Sequence, residues 1–251
     1  MKKWILLIIA TLFPQAIWAA DIGAVLQWSQ RVELSTPVSG VVKTVDVKVG
    51  ERVAKGRVLL SLDDTVYQAR VVESKAEILR LKAEADEDKR ELERVLELHD
   101  RTVVATTELD QAKLRVTRSK SRLSEAKARL TLNQKFLDDA SIRAPFDAIV
   151  ILRNAEPGQS VAAGLQPPML LTLAKDDEMI ARIYLSVVQI RDLDTGQKVK
   201  VNFADKSYAA EIKTLGFEPV NKNGELKYQV DVTFPVSDSL RAGSPATVTL
   251  P

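Results

Sequence analysis

The sequence contains no cysteine and a single histidine among its 251 residues. The absence of cysteine excludes disulfide bonds, thiolate metal sites and a lipid-modified cysteine after a cleaved signal, so the chain is not a lipoprotein. His99 alone cannot build an imidazole metal centre, and any Ser-His-Asp triad would have to use it. Met1, Met169 and Met179 are too few for a thioether cluster that binds copper or silver. We therefore expect no catalytic residues, no metal site and no cofactor.

An excess of charge of one sign is also missing. The chain has 36 Lys and Arg against 34 Asp and Glu, and loss of residues 1–19 would remove only Lys2 and Lys3 from this balance. A formally neutral mature chain lacks the basic surplus that a nucleic-acid partner attracts, so none is expected. Acids do occur in close pairs beside or within a helical segment, where a solvated face is favoured over acid–base catalysis. These pairs are Asp63–Asp64, Asp86–Asp88 and Asp138–Asp139.

The N-terminus carries the one long apolar run. Met1-Lys2-Lys3, the apolar stretch Trp4 to Phe13 and the small residues up to Ala20 have the three sections of a secretory signal. Pro14 interrupts the run, which is shorter than the roughly 20 residues that a spanning helix needs. We expect export and cleavage after Ala19, with a retained membrane anchor as the alternative.

One segment of the sequence occurs twice. Val49–Gly56 aligns with Pro157–Gly164, and Leu59–Leu62 aligns with Leu170–Leu173. Neither copy has enough apolar surface to close a core alone, so the repeat predicts two halves of one small β-domain. The repeated glycines do not have the spacing of a phosphate-binding loop and are interpreted as turn residues with positive φ. They are Gly50, Gly56, Gly158 and Gly164.

The segment between the two copies predicts a helical hairpin. Residues 65–140 contain no glycine or proline, and basic and acidic residues are nearly balanced. Apolar residues recur every three or four positions from Leu109 to Leu137, which is the seam of a coiled coil, and a matching seam runs from Val71 to Val95. A second apolar row lies beside the first seam, at Val72, Ala76, Leu79 and Ala83. We expect a loop around Asp100 to Thr106, with Thr106 or Thr107 as the N-cap of the second helix.

After Ala174 the pattern changes to short alternating segments that predict a small antiparallel barrel. The predicted strands are 179–184, 198–203, 209–215, 228–234 and 246–250, with a helical turn within Ser186–Asp192. The expected layout is a signal peptide (1–19), an N-terminal segment (20–31), the first β-half (32–64), the hairpin (65–140), the second β-half (141–174) and the barrel (175–251).

In this order the segments resemble the periplasmic adaptor proteins, or membrane fusion proteins of the HlyD family. The likeness extends from about Val32 to Leu250. It is carried by Pro37–Val42 with Val49–Gly56, by Ile142–Val150 with Pro157–Val161, and by Leu240–Val248. The resemblance implies an elongated mixed α and β fold, in which a coiled-coil hairpin interrupts a split lipoyl-like (biotinyl-lipoyl-like) domain and a β-barrel follows.

The resemblance also implies a function and partners. Such adaptors bridge an inner-membrane exporter to an outer-membrane channel of the TolC type, so the expected role is transmembrane efflux of small molecules. A resistance-nodulation-division (RND) pump is the first expectation for the exporter and an ABC transporter the second, and the adaptors self-associate into rings. The alternatives are a stand-alone periplasmic ligand-binding or carrier module and, more remotely, a periplasmic enzyme.

Two further expectations concern particular segments. At the hairpin tip, adaptors that contact such channels carry Arg, then Leu four residues later, then Ser seven further on. Arg94 and Leu98 fit this pattern, but Ala105 occupies the third position, and Thr106 would supply the hydroxyl. Many pump-associated members also have a membrane-proximal domain, whereas only residues 21–31 precede the first half here. Docking on the transporter is then expected to fall to the barrel and the lipoyl-like domain.

Overall fold

The computed structural model describes residues 21–164, 166–236 and 240–250. Their contacts divide the chain into two compact units. The barrel unit combines residues 21–30 with the chain from Lys175 onward, and the sandwich unit is Arg31–Ala174. The predicted signal peptide lies outside the described residues. No helix within the described residues is both long enough and apolar enough to span a membrane.

Fourteen strands and three helices make up the described chain. The strands are β1 (Asp21–Trp28), β2 (Arg31–Leu34), β3 (Gly40–Val45), β4 (Arg52–Val53), β5 (Val58–Leu62), β6 (Ser141–Arg143), β7 (Ala148–Arg153), β8 (Ser160–Val161), β9 (Leu171–Lys175), β10 (Glu178–Leu185), β11 (Lys198–Phe203), β12 (Lys206–Lys222), β13 (Glu225–Pro235) and β14 (Pro245–Thr249). The helices are α1 (Thr65–Asp100), α2 (Thr106–Asp139) and α3 (Val187–Ile190). The predicted mixed α and β architecture with a two-helix hairpin is confirmed.

The barrel unit is a closed sheet in the order β1-β10-β13-β12-β11-β14. Its first strand differs from the predicted layout, in which residues 20–31 stood apart from the barrel. β1 pairs with both β10 and β14 and closes the sheet. Ala24 and Leu26 are buried in the barrel core because alternate side chains of a strand face the same side. The alternation of buried and exposed side chains along Asp21–Trp28 makes this segment a strand of the barrel and corrects the predicted layout.

An ion pair on the outer wall joins β10 to β13. The guanidinium of Arg182 donates two hydrogen bonds to the carboxylate of Asp231, at 2.7 and 2.8 Å. Hydrogen bonding to Asp231 raises the pKa of Arg182. Gln229 donates to the same carboxylate at 3.2 Å, so the acceptor is well satisfied although it is largely buried.

The sandwich unit contains two four-stranded sheets, in the orders β2-β9-β7-β4 and β6-β5-β3-β8. Each sheet takes strands from both copies of the repeat. Gly50 N donates to Val150 O at 2.8 Å, and the equivalent Gly158 N donates to Val42 O at 2.8 Å. Two reverse bonds complete the exchange, from Val42 N to Gln159 O at 2.8 Å and from Val150 N to Glu51 O at 3.0 Å. The copies are therefore related by an approximate two-fold axis, and each satisfies the backbone of the other.

The core of the sandwich unit is shared in the same way. Leu59, Leu60 and Leu62 of the first copy and Leu170, Leu171 and Leu173 of the second are fully buried in one cluster. Gly50 and Gly158 have the predicted positive φ, +87° and +88°, as does Gly56. The prediction is wrong for Gly164, whose φ is not positive.

The hairpin emerges from this core as two antiparallel helices. The buried residues of α1 and α2 follow the predicted seams, with Val71, Leu81 and Val95 facing the stripe that includes Ala112 and Val116. The second apolar row predicted on α1 is present but remains exposed to solvent. Its members are Val72, Ala76, Leu79 and Ala83.

A polar contact interrupts the apolar seam near the base of the hairpin. Asn133 on α2 donates a hydrogen bond from Nδ2 to Ser74 Oγ at 2.8 Å, and Ser74 in turn donates to Arg70 O at 2.9 Å. A polar residue at a seam position fixes helix register and costs stability.

We predict that Asn133→Leu stabilises the hairpin by about 1 kcal/mol, since it adds apolar contact while Ser74 keeps its bond to Arg70. Chemical denaturation followed by helical circular dichroism measures the change. Gln134→Leu, at the exposed neighbouring position, serves as the control and should alter stability by less than about 0.5 kcal/mol. A lower midpoint for Asn133→Leu would show that the polar contact is a net stabiliser.

Candidate functional site

The hairpin tip is the candidate site because it gathers all four residues that the sequence analysis selected. It comprises the last two turns of α1, the loop of residues 101–105 and the first turn of α2. A small cluster of Val95, Leu109 and Ala112 is buried beneath it, with Leu92 and Val104 packed alongside. This cluster holds the two helix ends together, so the tip is a packed structure.

The chain reverses direction at the tip through hydrogen bonds at the end of α1. Thr102 N donates to His99 O at 2.8 Å, and Val103 N donates to Leu98 O at 2.9 Å. This pair of bonds is the Schellman arrangement, which usually has glycine at the position held here by Thr102. Thr102 has a φ of +56°, a conformation that is costly for a β-branched residue. Sequence analysis missed this residue, because no glycine marks the turn.

We predict that Thr102→Gly stabilises the tip by about 1 kcal/mol, because glycine adopts positive φ without the clash at Cβ. The amide of Val103 should then exchange with solvent deuterium more slowly, since its bond to Leu98 O opens less often. Faster exchange of that amide would contradict the assignment of strain to Thr102.

Arg94 and Leu98 lie one turn apart on α1, so they share a helix face. The side chain of Arg94 is largely exposed and pairs with Glu91. Leu98 is half-buried, and its carbonyl accepts the bond from Val103. An exposed guanidinium next to a half-buried leucine offers a charged donor and an apolar contact together, a combination suited to binding a protein surface.

Ala105 and Thr106 lie on the other side of the loop, where α2 begins. Ala105 has extended backbone angles and is the N-cap, with its carbonyl accepting from Glu108 N at 3.0 Å. The predicted N-cap, Thr106 or Thr107, is wrong by one or two positions, because Thr106 is already helical and no side chain caps the helix. No hydrogen bond or ion pair of the described residues links Arg94 to Ala105 or Thr106. The four selected residues thus share the tip as neighbours in the fold.

Two acidic groups of the sandwich unit, Asp63 and Glu51, have lowered pKa values for structural reasons. Hydrogen bonds from the Thr65 hydroxyl and backbone N–H lower the pKa of Asp63, where α1 begins. A bond from the backbone N–H of Lys48, followed by one from Arg57, lowers the pKa of Glu51. Both are exposed and held ionised by their partners, the reverse of a general acid. The described residues contain no group of His, Cys, Asp and Glu able to hold a metal ion.

A family model described as the CzcB-like barrel-sandwich hybrid domain matches residues 30–166. The chain belongs to this family. The match spans both copies of the repeat and the hairpin between them, more than half of the chain. The exchanged hydrogen bonds described above are therefore those of a barrel-sandwich hybrid domain interrupted by a helical hairpin.

Curated relatives of this CzcB-like chain are export proteins by name. It is 27% identical over 183 residues to the macrolide export protein MacA of Escherichia coli O157:H7. The aligned region covers 67% of this chain and 49% of the relative. It is 31% identical over 185 residues to the pyoverdine export membrane fusion protein PvdR of Pseudomonas putida. Here the aligned region covers 68% of this chain and 47% of the relative. The chain spans about half the length of these relatives.

Solved structures agree on the fold. The membrane fusion protein Spr0693 from Streptococcus pneumoniae R6 matches the CzcB-like chain with a TM-score of 0.71 at 14% identity, over 92% of this chain and 99% of that one. The family model, the relatives and this fold together confirm the resemblance to the membrane fusion proteins, or periplasmic adaptors, of efflux systems.

Proposed function

We propose that this chain is the adaptor subunit of an efflux system and joins an inner-membrane transporter to a TolC-type outer-membrane channel in the periplasm. The observation that carries the proposal is a long hairpin inserted into a split sandwich domain, with a packed and exposed tip. At 1.5 Å per residue, helices of 36 and 34 residues reach roughly 50 Å. Such a device suits bridging two membranes, and its chemistry is binding without catalysis.

The finer parts of the proposal follow from the family resemblance. The split sandwich acts as a lipoyl-like domain that supports the hairpin, and no modification of a lysine is expected. The transporter is a proton-driven RND pump in the first instance and an ABC exporter in the second. The names of the relatives, a macrolide exporter and a pyoverdine exporter, support small molecules as the exported class.

Arg94, Leu98, Ala105 and Thr106 form the proposed channel contact. A photo-reactive amino acid placed at Thr106 in living cells tests this contact directly. We expect a cross-link to one outer-membrane channel from position 106 and none from Gln134, an exposed position near the base of the same helix. Equal cross-linking from the two positions, or none from position 106, would contradict the tip assignment.

We further propose that several copies pack side by side through their hairpins to form a ring. The support is the uncharged stripe on α1, where Val72 and Leu79 are about two-thirds exposed. On α2, an uncharged row at three- and four-residue spacing is also exposed, and includes Leu114 and Leu132. Uncharged rows on both helices of one hairpin would let α1 of one copy meet α2 of the next without a charge repulsion.

The absence of native cysteine makes this ring contact testable. Leu79→Cys combined with Ala128→Cys should give a ladder of disulfide-linked copies on mild oxidation in the envelope, because the two positions lie at similar heights on the hairpin. Each single variant should give no ladder beyond a dimer. A double variant that stays monomeric while both thiols react with a small maleimide would contradict packing through these rows.

The alternative, a stand-alone ligand-binding module, has one observation in its favour. A groove of about 1100 Å³ lies in the barrel unit, lined by residues that include Lys198, Lys200, Glu178 and Glu211. A soluble ligand-binder has no reason to accompany membrane proteins, so isolation of the chain with its partners separates the two functions.

A further inference from the structure

The two ends of the barrel unit differ in what they expose. Asp21 of β1, Leu185 of β10 and Tyr228 of β13 lie at one end of the barrel. The antiparallel register shows this: Val25 pairs with Arg182, which brings the start of β1 to the end of β10, and Leu185 pairs with Tyr228. We call this end the free rim. At the other end lie Trp28 and Glu178, where the chain passes into and out of the sandwich unit.

Exposed apolar side chains concentrate at the free rim. Among the described residues of the barrel unit, five of the six exposed large apolar residues lie there, and the sixth, Val25, lies on the wall. The five come from two separate elements, α3 and the paired ends of β12 and β13. They are Val187, Val188, Phe217, Val220 and Leu226.

Phe217 is held out by a built-in irregularity of β12. Leu215 pairs with Val230 and Pro219 pairs with Tyr228, so three residues of β12 lie between these pairs and only one residue of β13. The bulge requires glycine at position 216, because a Cβ there would lie 2.8 Å from Gln229 O. Phe217 is extruded by this bulge and is 97% exposed. Burial of a phenylalanine side chain away from water is favourable, so the exposed ring of Phe217 is available to bind an apolar surface outside the barrel.

The neighbouring elements are equally well fixed. Beyond the end of β10, β12 and β13 remain paired for three further residue pairs, up to Lys222 with Glu225. At about 3.3 Å per residue the hairpin projects roughly 10 Å past the barrel. Helix α3 is held by a capping box between Ser186 and Gln189, which fixes Val188 with 70% of its surface exposed.

The position of the chain's own apolar run indicates what covers the free rim. Strand β1 starts at the free rim with Asp21, and the run Trp4 to Phe13 precedes it by only seven residues. Seven extended residues reach about 25 Å at most. While it is attached, the run therefore keeps the rim within that distance of the membrane into which it inserts. Two cations lie beside the apolar residues: Lys222, whose Nζ lies 4.3 Å from the centroid of the Tyr184 ring, and Lys227, which pairs with Glu225 at 2.9 Å. Lipid phosphates attract cations at such positions.

We propose that the free rim docks on the surface of a phospholipid bilayer, with Phe217 as the inserted anchor and Val187, Val188 and Leu226 beside it. A single protruding aromatic with apolar neighbours and flanking lysines matches the lipid headgroup boundary better than a complementary protein surface. Because the inference concerns lipid binding alone, it holds or fails independently of the proposed adaptor function.

Single cysteines in the otherwise cysteine-free chain test the proposal. The protein is recovered from the periplasmic fraction or the envelope, and its mass establishes whether residues 1–19 remain. A polarity-sensitive dye is then attached to the cysteine of Phe217→Cys or Val188→Cys. The matched control is Val49→Cys, at an apolar position of the sandwich unit that is 61% exposed. Vesicles of phosphatidylethanolamine and phosphatidylglycerol should shift dye emission to the blue at positions 217 and 188 and leave emission at position 49 unchanged.

Flotation with the same vesicles gives the strength of binding. We expect Phe217→Ser to lower the vesicle-bound to free ratio of the processed chain about tenfold, while Val49→Ser leaves it unchanged. If the apolar run Trp4 to Phe13 is retained, it would bind vesicles by itself. In that case the dye shift alone tests whether the free rim contacts lipid. No shift at position 217, or equal shifts at all three positions, would overturn the proposal. A shift that appears only after solubilised envelope proteins are added would also overturn it and assign the rim to a membrane protein.

Discussion

Leu60→Ala will lower the free energy of unfolding of the sandwich unit by about 2–5 kcal/mol, and Leu171→Ala will lower it by a similar amount. The two leucines occupy equivalent positions in the repeat and are both fully buried in the shared core. Because each copy supplies backbone partners to the other, neither half can keep its structure when the other opens. Each substitution should therefore destabilise both halves.

Hydrogen exchange distinguishes this shared unfolding from local damage. The reciprocal amides of Gly50 and Gly158 should lose protection together in either variant, although they belong to different halves. Leu152→Ala, in the same unit at a position 41% exposed, is the matched control and should cost less than about 0.5 kcal/mol. Loss of protection confined to the half that carries the substitution would contradict the interlocked arrangement.

Arg94→Glu will abolish export while leaving the protein folded. The side chain is exposed and its only cost to folding is exchange of the Glu91 ion pair for a repulsion, about 0.2–0.5 kcal/mol for such helix neighbours. At the channel, reversal of the charge replaces an attraction by a repulsion and removes five donors. The test compounds are those that become more toxic when the gene is deleted. Tolerance to them is measured in cells that carry the variant as their only copy of the gene.

Arg90→Glu is a closely matched control, because Arg90 is exposed and pairs with Glu87 at the same three-residue spacing, one turn further from the tip. It should leave export near the unmodified level. Unchanged tolerance in the Arg94 variant, or an equal loss in both variants, would contradict the tip contact.

The repeat made the sandwich unit predictable because its signal is long-range and redundant. Glycine spacing and the Leu-rich ends recur in both copies, and two copies that cannot close a core alone must share one. The hairpin was predictable from seam spacing without glycine or proline. In contrast, β1 was not predicted. Its alternation of buried and exposed side chains extends over only eight residues, and the apolar N-terminal run next to it obscures the pattern.

The sequence was least informative where backbone geometry departs from the usual residue preferences. β12 and β13 extend to Lys206–Lys222 and Glu225–Pro235, well beyond the predicted 209–215 and 228–234. Gly216 and Pro219 favour a break in the strand, whereas the structure absorbs them in a bulge. At the tip, Thr102 takes the place of a glycine and Ala105 the place of a capping hydroxyl, so no residue type marked either boundary.

Isolation of the protein from gently solubilised and cross-linked envelopes tests the adaptor function most directly. The mature chain is purified by affinity, and every membrane protein that accompanies it is identified. The account predicts recovery of one inner-membrane transporter together with one outer-membrane channel, and the transporter's class would decide between RND and ABC. Recovery of neither, from a folded periplasmic protein, would contradict the adaptor function and favour a stand-alone binding module.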